Sequence, residues 1–376
     1  LNSFTFNNSQ NLSKVGNDKV FITGGTGFVG AFLIQELCTV FDEVYCLIRA
    51  KDKSEAEERL EKTLVEYQIT TIDWSKIKIV AGDLSEERLG MSIANWEEIS
   101  NVDQIYHCGA MVNFVKDFES MKKTNVNSTY NLLRLCQKGK PKRFNYISTK
   151  GVFNSKAGNY FENNSLENEI HFKNRGYEST KWLSDVLTNR ARSFGIESNI
   201  FRLGRITGHS DNAVARYKDF FHRFIEGCIA LRCFPKELIN LSTDLTPVDI
   251  SVKAIVMLSN QLGGHNFHIS NNNFTLYKGI VDSCLKMNIE LEVLPYTDWL
   301  DKVASLNKET QDNPLYLITS ILKQKTWFTT GNYILNSNET SGIIHEKGLN
   351  WPLGDNLWGI YIESCVNRLV KKEIYI

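Results

Sequence analysis

Apolar residues along the chain come first in dense blocks and only later in stripes. The segments KVFITG, EVYCLIR, IKIVAGDL, QIYHCGA, RFNYIST and SNIFRLG, spread between residues 19 and 204, are strand-length, rich in β-branched and aromatic side chains, and bounded by turn residues. Their near-continuous hydrophobicity fits strands buried on both faces. Helical periodicity fills the gaps. Over 54–67, Leu60, Leu64 and Tyr67 share one face, and Ser54 with Glu57 reads as a capping box. Further helical patterns cover 117–137 and 178–194, the second stopped by Gly195 as a C′ residue. Short apolar strands alternating with helices predict an α/β protein, a Rossmann-type doubly wound parallel sheet with helices on both faces.

Beyond residue 205 the rhythm breaks. Residues 211–245 hold an aromatic-rich helical stretch, RYKDFFHRFIEGCIALRCF, followed by a loop. DISVKAIVMLSN reads as a helix and HNFHIS as a strand able to rejoin the first sheet, and from 271 onward helices mix with a strand-like LEVLP. The expected partition is a linker over 1–18, a sheet domain over 19–206 to which 249–270 returns, and a smaller, mostly helical C-terminal lobe from 207–248 and 271–376.

Composition narrows the classes. The 376 residues carry 43 basic and 43 acidic side chains, so formal charge is zero, and 42% are hydrophobic. That length accommodates one large α/β unit plus an appended lobe. The balance gives no reason to expect nucleic acid or an anionic membrane as partner, and no apolar run is long enough to span a bilayer. The Asn-rich opening LNSFTFNNSQNLSKVGNDK lacks a signal-peptide pattern. Eight cysteines without a C-x-x-C pair read as thiols of a reducing cytoplasm. Seven scattered histidines give no metal site. The chain opens on Leu1, which a piece of a longer polypeptide and a trimmed tag explain equally well.

One stretch asks for more than a fold. In VFITGGTGFVGAFLI (20–34), Gly24, Gly27 and Gly30 form G-x-x-G-x-x-G between a predicted strand and a predicted helix. Glycines there permit a tight turn and let a pyrophosphate reach backbone N–H groups at the helix start. Thr23, Thr26, Phe28 and Val29 then flank a bound dinucleotide. The next strand ends at Arg49, beside the adenosine ribose, where a carboxylate would select NAD. An arginine suits a 2′-phosphate, with Arg59 a candidate second contact, so NADPH is expected over NADH. Asp83 in GDL is placed for the adenine amino group, with Leu84 beside it. The small residues Gly109 and Ala110 after the next strand leave room for the dinucleotide. His107 reads as a satisfied core histidine.

GYESTKW places Tyr177 and Lys181 four apart, on one helical face. A nearby ammonium is expected to lower the tyrosine pKa from its ordinary value of about 10 toward a useful range. Ser148 and Thr149 close the YIST strand at its carboxyl end, where open parallel sheets bind ligands.

TGGTGFVG, the arginine-ended second strand, GDL, YIST, GYESTKW and FRLGRITG stand in the order found in extended short-chain dehydrogenase/reductases, which the chain resembles over nearly its whole length, most strongly to about residue 210. LIRA, GDLS and Trp182 after Lys181 make it similar to one branch, the thioester reductase domains that terminate nonribosomal peptide synthetases and carboxylic acid reductases. The resemblance implies a catalytic triad of Thr149, Tyr177 and Lys181. Lys181 would also hold the nicotinamide ribose, Ser148 would support the strand end, and Leu203 and Gly204 would lie beside the nicotinamide. Leu203 stands where many relatives carry proline, and Arg205 receives no role. The implied reaction is NADPH-dependent reductive release, as an aldehyde, of an acyl or peptidyl thioester held on the phosphopantetheine arm of a carrier protein. Whether a second reduction to the alcohol follows is left open. Phe220, Phe221 and Phe224, with basic residues between them, fit either core packing or an acyl channel and carrier-docking face. Two alternatives stand beside this reading: an acyl-CoA reductase or other extended short-chain reductase or epimerase, and a non-catalytic NADP(H)-binding scaffold.

Overall fold

The structure is a computed structural model and describes residues 16–113, 115–153, 158–167, 175–306, 313–323 and 333–371, so most of the expected N-terminal linker lies outside the described residues. Seven strands form the central sheet: β1 (Lys19–Thr23), β2 (Glu43–Arg49), β3 (Ile77–Gly82), β4 (Gln104–His107), β5 (Arg143–Thr149), β6 (Ser198–Leu203) and β7 (Asn266–Ile269). Their order is β7-β6-β5-β4-β1-β2-β3, and every neighbouring pair is parallel. The order reverses between β1 and β4. Chain segments leaving those two strands diverge, which opens a crevice at their carboxyl ends.

Strand alternation divides two cores between the faces. Val20 and Ile22 of β1 enter one, Phe21 the other. The first core is covered by α1 (Phe28–Val40), α2 (Lys53–Glu66) and α8 (Val248–Gln261). The second is covered by α5 (Ser128–Leu135) and α6 (Gly176–Ala191). In α2, Leu60, Leu64 and Tyr67 are buried as the pattern required, but the cap sits two residues earlier than expected. Asp52, not Ser54, accepts from Glu55 N at 2.9 Å, and Glu55 returns a bond to Lys51 N at 2.9 Å. α6 runs into a short 3₁₀ turn and stops at Gly195, which takes φ +79°. The helix expected over 117–137 is split: α4 (Phe118–Lys122) and α5 are joined by a π-turn, Lys123–Asn127.

The appended lobe packs α7 (Phe220–Ala230), α9 (Lys278–Lys286), α10 (Tyr296–Ala304) and α12 (Gly354–Lys371) around the buried Trp299 and Trp358. Phe221 and Phe224 belong to that core. LEVLP does form a strand, Glu292–Leu294, paired in parallel with Cys233–Pro235. One segment departs from the expected partition. Tyr333–Leu335 pairs with Gly158–Tyr160, and Ile344 of α11 (Asn338–Glu346) and Trp351 pack into the first sheet core. The C-terminal portion therefore crosses back to the sheet domain before α12 returns to the lobe.

Among the described residues no helix is long and apolar enough to cross a membrane, and no group of three or more His, Cys, Asp or Glu is placed to hold a metal ion. All eight cysteines are free thiols.

Candidate active site

The crevice begins at the glycine turn. Gly24 takes φ +81°, and a Cβ there would stand 2.5 Å from Gly109 N and 2.7 Å from the Cys108 carbonyl carbon. The turn and the β4 exit are thus pressed together with no side chain between them. A Cβ on Gly30 would lie 2.1 Å from Gly24 O, so α1 packs directly on the turn. Gly27 is exposed and serves as N-cap of α1 without a side-chain cap, and no acidic residue occupies the helix's first turn. The first backbone N–H groups of α1 face the crevice uncompensated, which suits a pyrophosphate. The cradle of residues Thr23–Val29 therefore fits a dinucleotide. Phe28 turns inward and packs edge-to-face with Phe32 and Tyr67, at 5.5 and 5.1 Å between ring centroids. Its contribution to the turn is to anchor α1.

The far side of the crevice is built from the ends of β2 and β3. Arg49 is exposed at the last position of β2, and Arg59 of α2 donates from Nη1 to the Arg49 carbonyl oxygen. The two guanidinium-bearing residues are brought together at the strand end. Asp83 follows β3, and its Oδ1 accepts from Ser85 N and Ser85 Oγ, both at 2.8 Å. That oxygen is committed to the turn. Leu84 lies over Gly109, whose absent Cβ would sit 2.6 Å from Leu84 Cδ1. Ala110 is partly exposed beside them.

The reactive corner lies at the ends of β4 and β5. Thr149 is partly exposed at the end of β5, where its Oγ1 accepts from Gly151 N at 3.2 Å. Tyr177 and Lys181 stand one turn apart on α6. Lys181 Nζ donates to Ile147 O at 2.7 Å and sits 4.1 Å from the Tyr146 ring centroid. Burial lowers its pKa to about 8. Tyr177 differs from the sequence expectation. Burial raises its pKa, with Glu178 and Cys108 adding to the rise and Arg216 opposing it. Desolvation of the phenolate outweighs the opposing Arg216 guanidinium, and the Lys181 ammonium is spent on a β5 carbonyl. The phenol therefore keeps its proton at neutral pH and is poised as an acid. His107 is the core residue expected. It bridges Thr23 Oγ1 at 2.7 Å and Thr129 Oγ1 at 3.1 Å, and burial, with Lys181 adding, lowers its pKa to about 3.

Several positioning residues had no local sequence signal. Asn125, in the π-turn, is buried and ties three segments together. It accepts from Met111 N at 2.7 Å and donates to Met111 O at 3.0 Å and Thr180 Oγ1 at 2.9 Å. Asp185, one turn beyond Lys181, forms a buried bidentate pair with Arg202 of β6 at 3.0 and 3.1 Å and accepts from Ser148 Oγ at 2.8 Å. Ser148 thus faces this internal network. Leu203 is buried. The space left by Gly204 is filled by Asp244 and Ser270, whose oxygens would lie 2.4 and 2.7 Å from a Cβ.

A switch-point crevice of this kind defines the class: a Rossmann-type, NAD(P)-dependent oxidoreductase. A sequence model of the NAD-binding family described as "Male sterility protein" matches residues 22–255. A linear gramicidin synthase from Brevibacillus parabrevis is 36% identical over 290 residues, which are 75% of this chain and 6% of that protein. L-2-aminoadipate reductase of Saccharomyces cerevisiae is 29% identical over 377 residues, 91% of this chain and 27% of that protein. The crystal structure of the terminal R domain from the myxalamid PKS-NRPS biosynthetic pathway aligns with a TM-score of 0.85 at 30% identity, covering 98% of this chain and 94% of that one. The chain belongs to this NAD-binding family of extended short-chain dehydrogenase/reductases, among the terminal reductase domains. It spans less than a third of the length of either curated relative.

Proposed function

We propose that the protein is an NADPH-dependent thioester reductase that releases an acyl or peptidyl chain from a carrier protein's phosphopantetheine arm as an aldehyde. The observation that carries this reading is that Lys181, on the helix that also bears Tyr177, bonds to β5 at Ile147, two residues before Thr149. Kinship with terminal reductase domains supports the substrate class.

Thr23 through Val29 hold the pyrophosphate in this reading, Arg49 with Arg59 takes the 2′-phosphate, and Lys181 reaches the nicotinamide ribose. Bound NADPH supplies the hydride that reduces the thioester carbonyl carbon. Thr149 and Tyr177 donate hydrogen bonds to the carbonyl oxygen and stabilise its developing charge. Tyr177, kept protonated by the partial burial that disfavours its phenolate, then gives that oxygen a proton. The resulting hemithioacetal expels the arm thiol and leaves the aldehyde. The lobe built on α7, α9, α10 and α12 receives the acyl chain, and a carrier protein docks at its rim.

NADPH oxidation followed at 340 nm with acyl-pantetheine thioesters tests the proposal. Tyr177→Phe should lower kcat by about 10²- to 10⁴-fold, the usual worth of a positioned acid. Equal rates for parent and variant would overturn it. Running carrier-bound and free coenzyme A thioesters side by side separates carrier-dependent release from acyl-CoA reduction.

A further inference from the structure

Arg205 leaves the β6 end with an unusual set of neighbours. Its Nε is buried without a hydrogen-bond partner. Its guanidinium carbon lies 5.0 Å from the Phe221 ring centroid. Among the described residues no carboxylate comes within ion-pair distance of it, although Asp244 and Asp219 act on it from farther away. Both acids are already engaged. Asp244 Oδ2 accepts from Arg205's own backbone N–H at 2.6 Å, from Ser270 Oγ at 3.1 Å and from Thr246 Oγ1 at 3.3 Å, while Oδ1 takes Lys150 Nζ at 3.3 Å. Asp219 caps α7 and accepts from His222 at N and Nδ1. Asp244 thus pairs with Lys150 and takes only the backbone of Arg205, whose guanidinium donor is left over. Burying a polar donor unpaired is costly, and a buried cation more so.

The location says what should fill the gap. Leu203 is the register partner of Thr149, and Lys150 is the next residue after Thr149. Strand spacing and rise put the Arg205 backbone on the order of 8 Å from Thr149. Arg205 as a whole is only partly buried. Phe221 and Tyr277 wall the lobe side.

We propose that Arg205, seconded by Lys150, is a specificity-determining residue that binds a carboxylate carried on the acyl chain a few bonds from the thioester carbonyl. This rests on the thioester reading above. The phosphate of the pantetheine arm lies two amide linkages away from the sulfur and is too distant to be the anion bound here. A carboxylate supplies both the missing acceptor and the missing negative charge, and a guanidinium meets it in a bidentate fork.

Equilibrium binding in the presence of NADP⁺, which prevents turnover, tests the proposal. The probes are succinyl- and glutaryl-pantetheine thioesters against their butyryl and pentanoyl counterparts. The parent protein should bind the carboxylate chains about 10- to 100-fold more tightly, the range for a hydrogen bond to a charged group. Arg205→Gln should bring that ratio to about one, and Arg205→Lys should keep part of it. No preference in the parent, or equal weakening of both chain types by Arg205→Gln, overturns the proposal. NADPH oxidation with the same thioesters is read separately. A binding preference without oxidation sustains the role of Arg205 while removing the reductase reading.

Discussion

Alanine at Gly30 and alanine at Gly27 are the same change in the same motif, yet the geometry predicts different consequences. A Cβ at Gly30 would fall 2.1 Å from Gly24 O and 2.8 Å from Gly24 C, whereas at Gly27 the nearest atom is Gly24 O at 3.2 Å. The obstacle at Gly30 is backbone, and that backbone is itself pinned, since Gly24 cannot yield without meeting Gly109 N. Restoring ordinary contact requires α1 to shift by about 1 Å from β1, across a core that includes Phe28, Ile34 and Val20. Overpacking a close-packed core costs about 1–3 kcal/mol, and a rigid obstacle puts Gly30→Ala at or above the top of that range. For a chain of this length, about 3 kcal/mol lowers Tm by about 4 °C. Gly27→Ala should cost less than about 1 kcal/mol, because a few tenths of an ångström relieve its contact. It should instead weaken dinucleotide binding by crowding the exposed turn. Differential scanning calorimetry with dinucleotide titration reads both. A Gly30→Ala protein as stable as the parent, or a Gly27→Ala protein that loses more stability than Gly30→Ala, would refute the packing argument.

Other consequences can be measured independently. Arg49→Ala should narrow the preference for NADPH over NADH by about 10- to 100-fold, the loss of a charge-assisted contact, in paired fluorescence titrations. Asp185→Asn should destabilise the fold by about 3–5 kcal/mol in urea unfolding, because Arg202 is left charged and buried. Burial holds both His107 and His268 near pKa 3, below the ordinary value of about 6.5. The unfolded chain therefore binds protons that the folded one refuses. Stability is complete above about pH 6.5 and falls as pH drops from there toward 3. His107→Gln should flatten that slope, and an unchanged acid profile would contradict the neutral assignment.

Local signals carried the architecture a long way. Each strand block was legible because β-branched and aromatic residues crowd where both faces are buried, and the GGTGFVG turn was legible because glycine spacing is set by contacts within a few residues. Tyr177 and Lys181 share a helix, so four-residue spacing was enough to pair them. The cap of α2 slipped from Ser54 to Asp52 because two good capping residues stand two apart and only the entry of the chain from β2 selects one. The return of Ile344 and Trp351 to the sheet core was hidden, since an amphipathic stripe shows that a face is buried but not against what.

Short segments were thus enough to specify the doubly wound sheet and the glycine turn between β1 and α1. How the side chains at the reactive corner behave was settled by packing between distant parts of the chain. Asp185 meets Arg202 only because α6 packs on β6, and Asp244 meets the backbone of Arg205 only because the fold brings together segments 39 residues apart. Tyr177 keeps its proton because partial burial disfavours its phenolate, while the Lys181 ammonium is held at Ile147. Desolvation and charge depend on every neighbour within several ångströms, and no one-dimensional spacing encodes that neighbourhood.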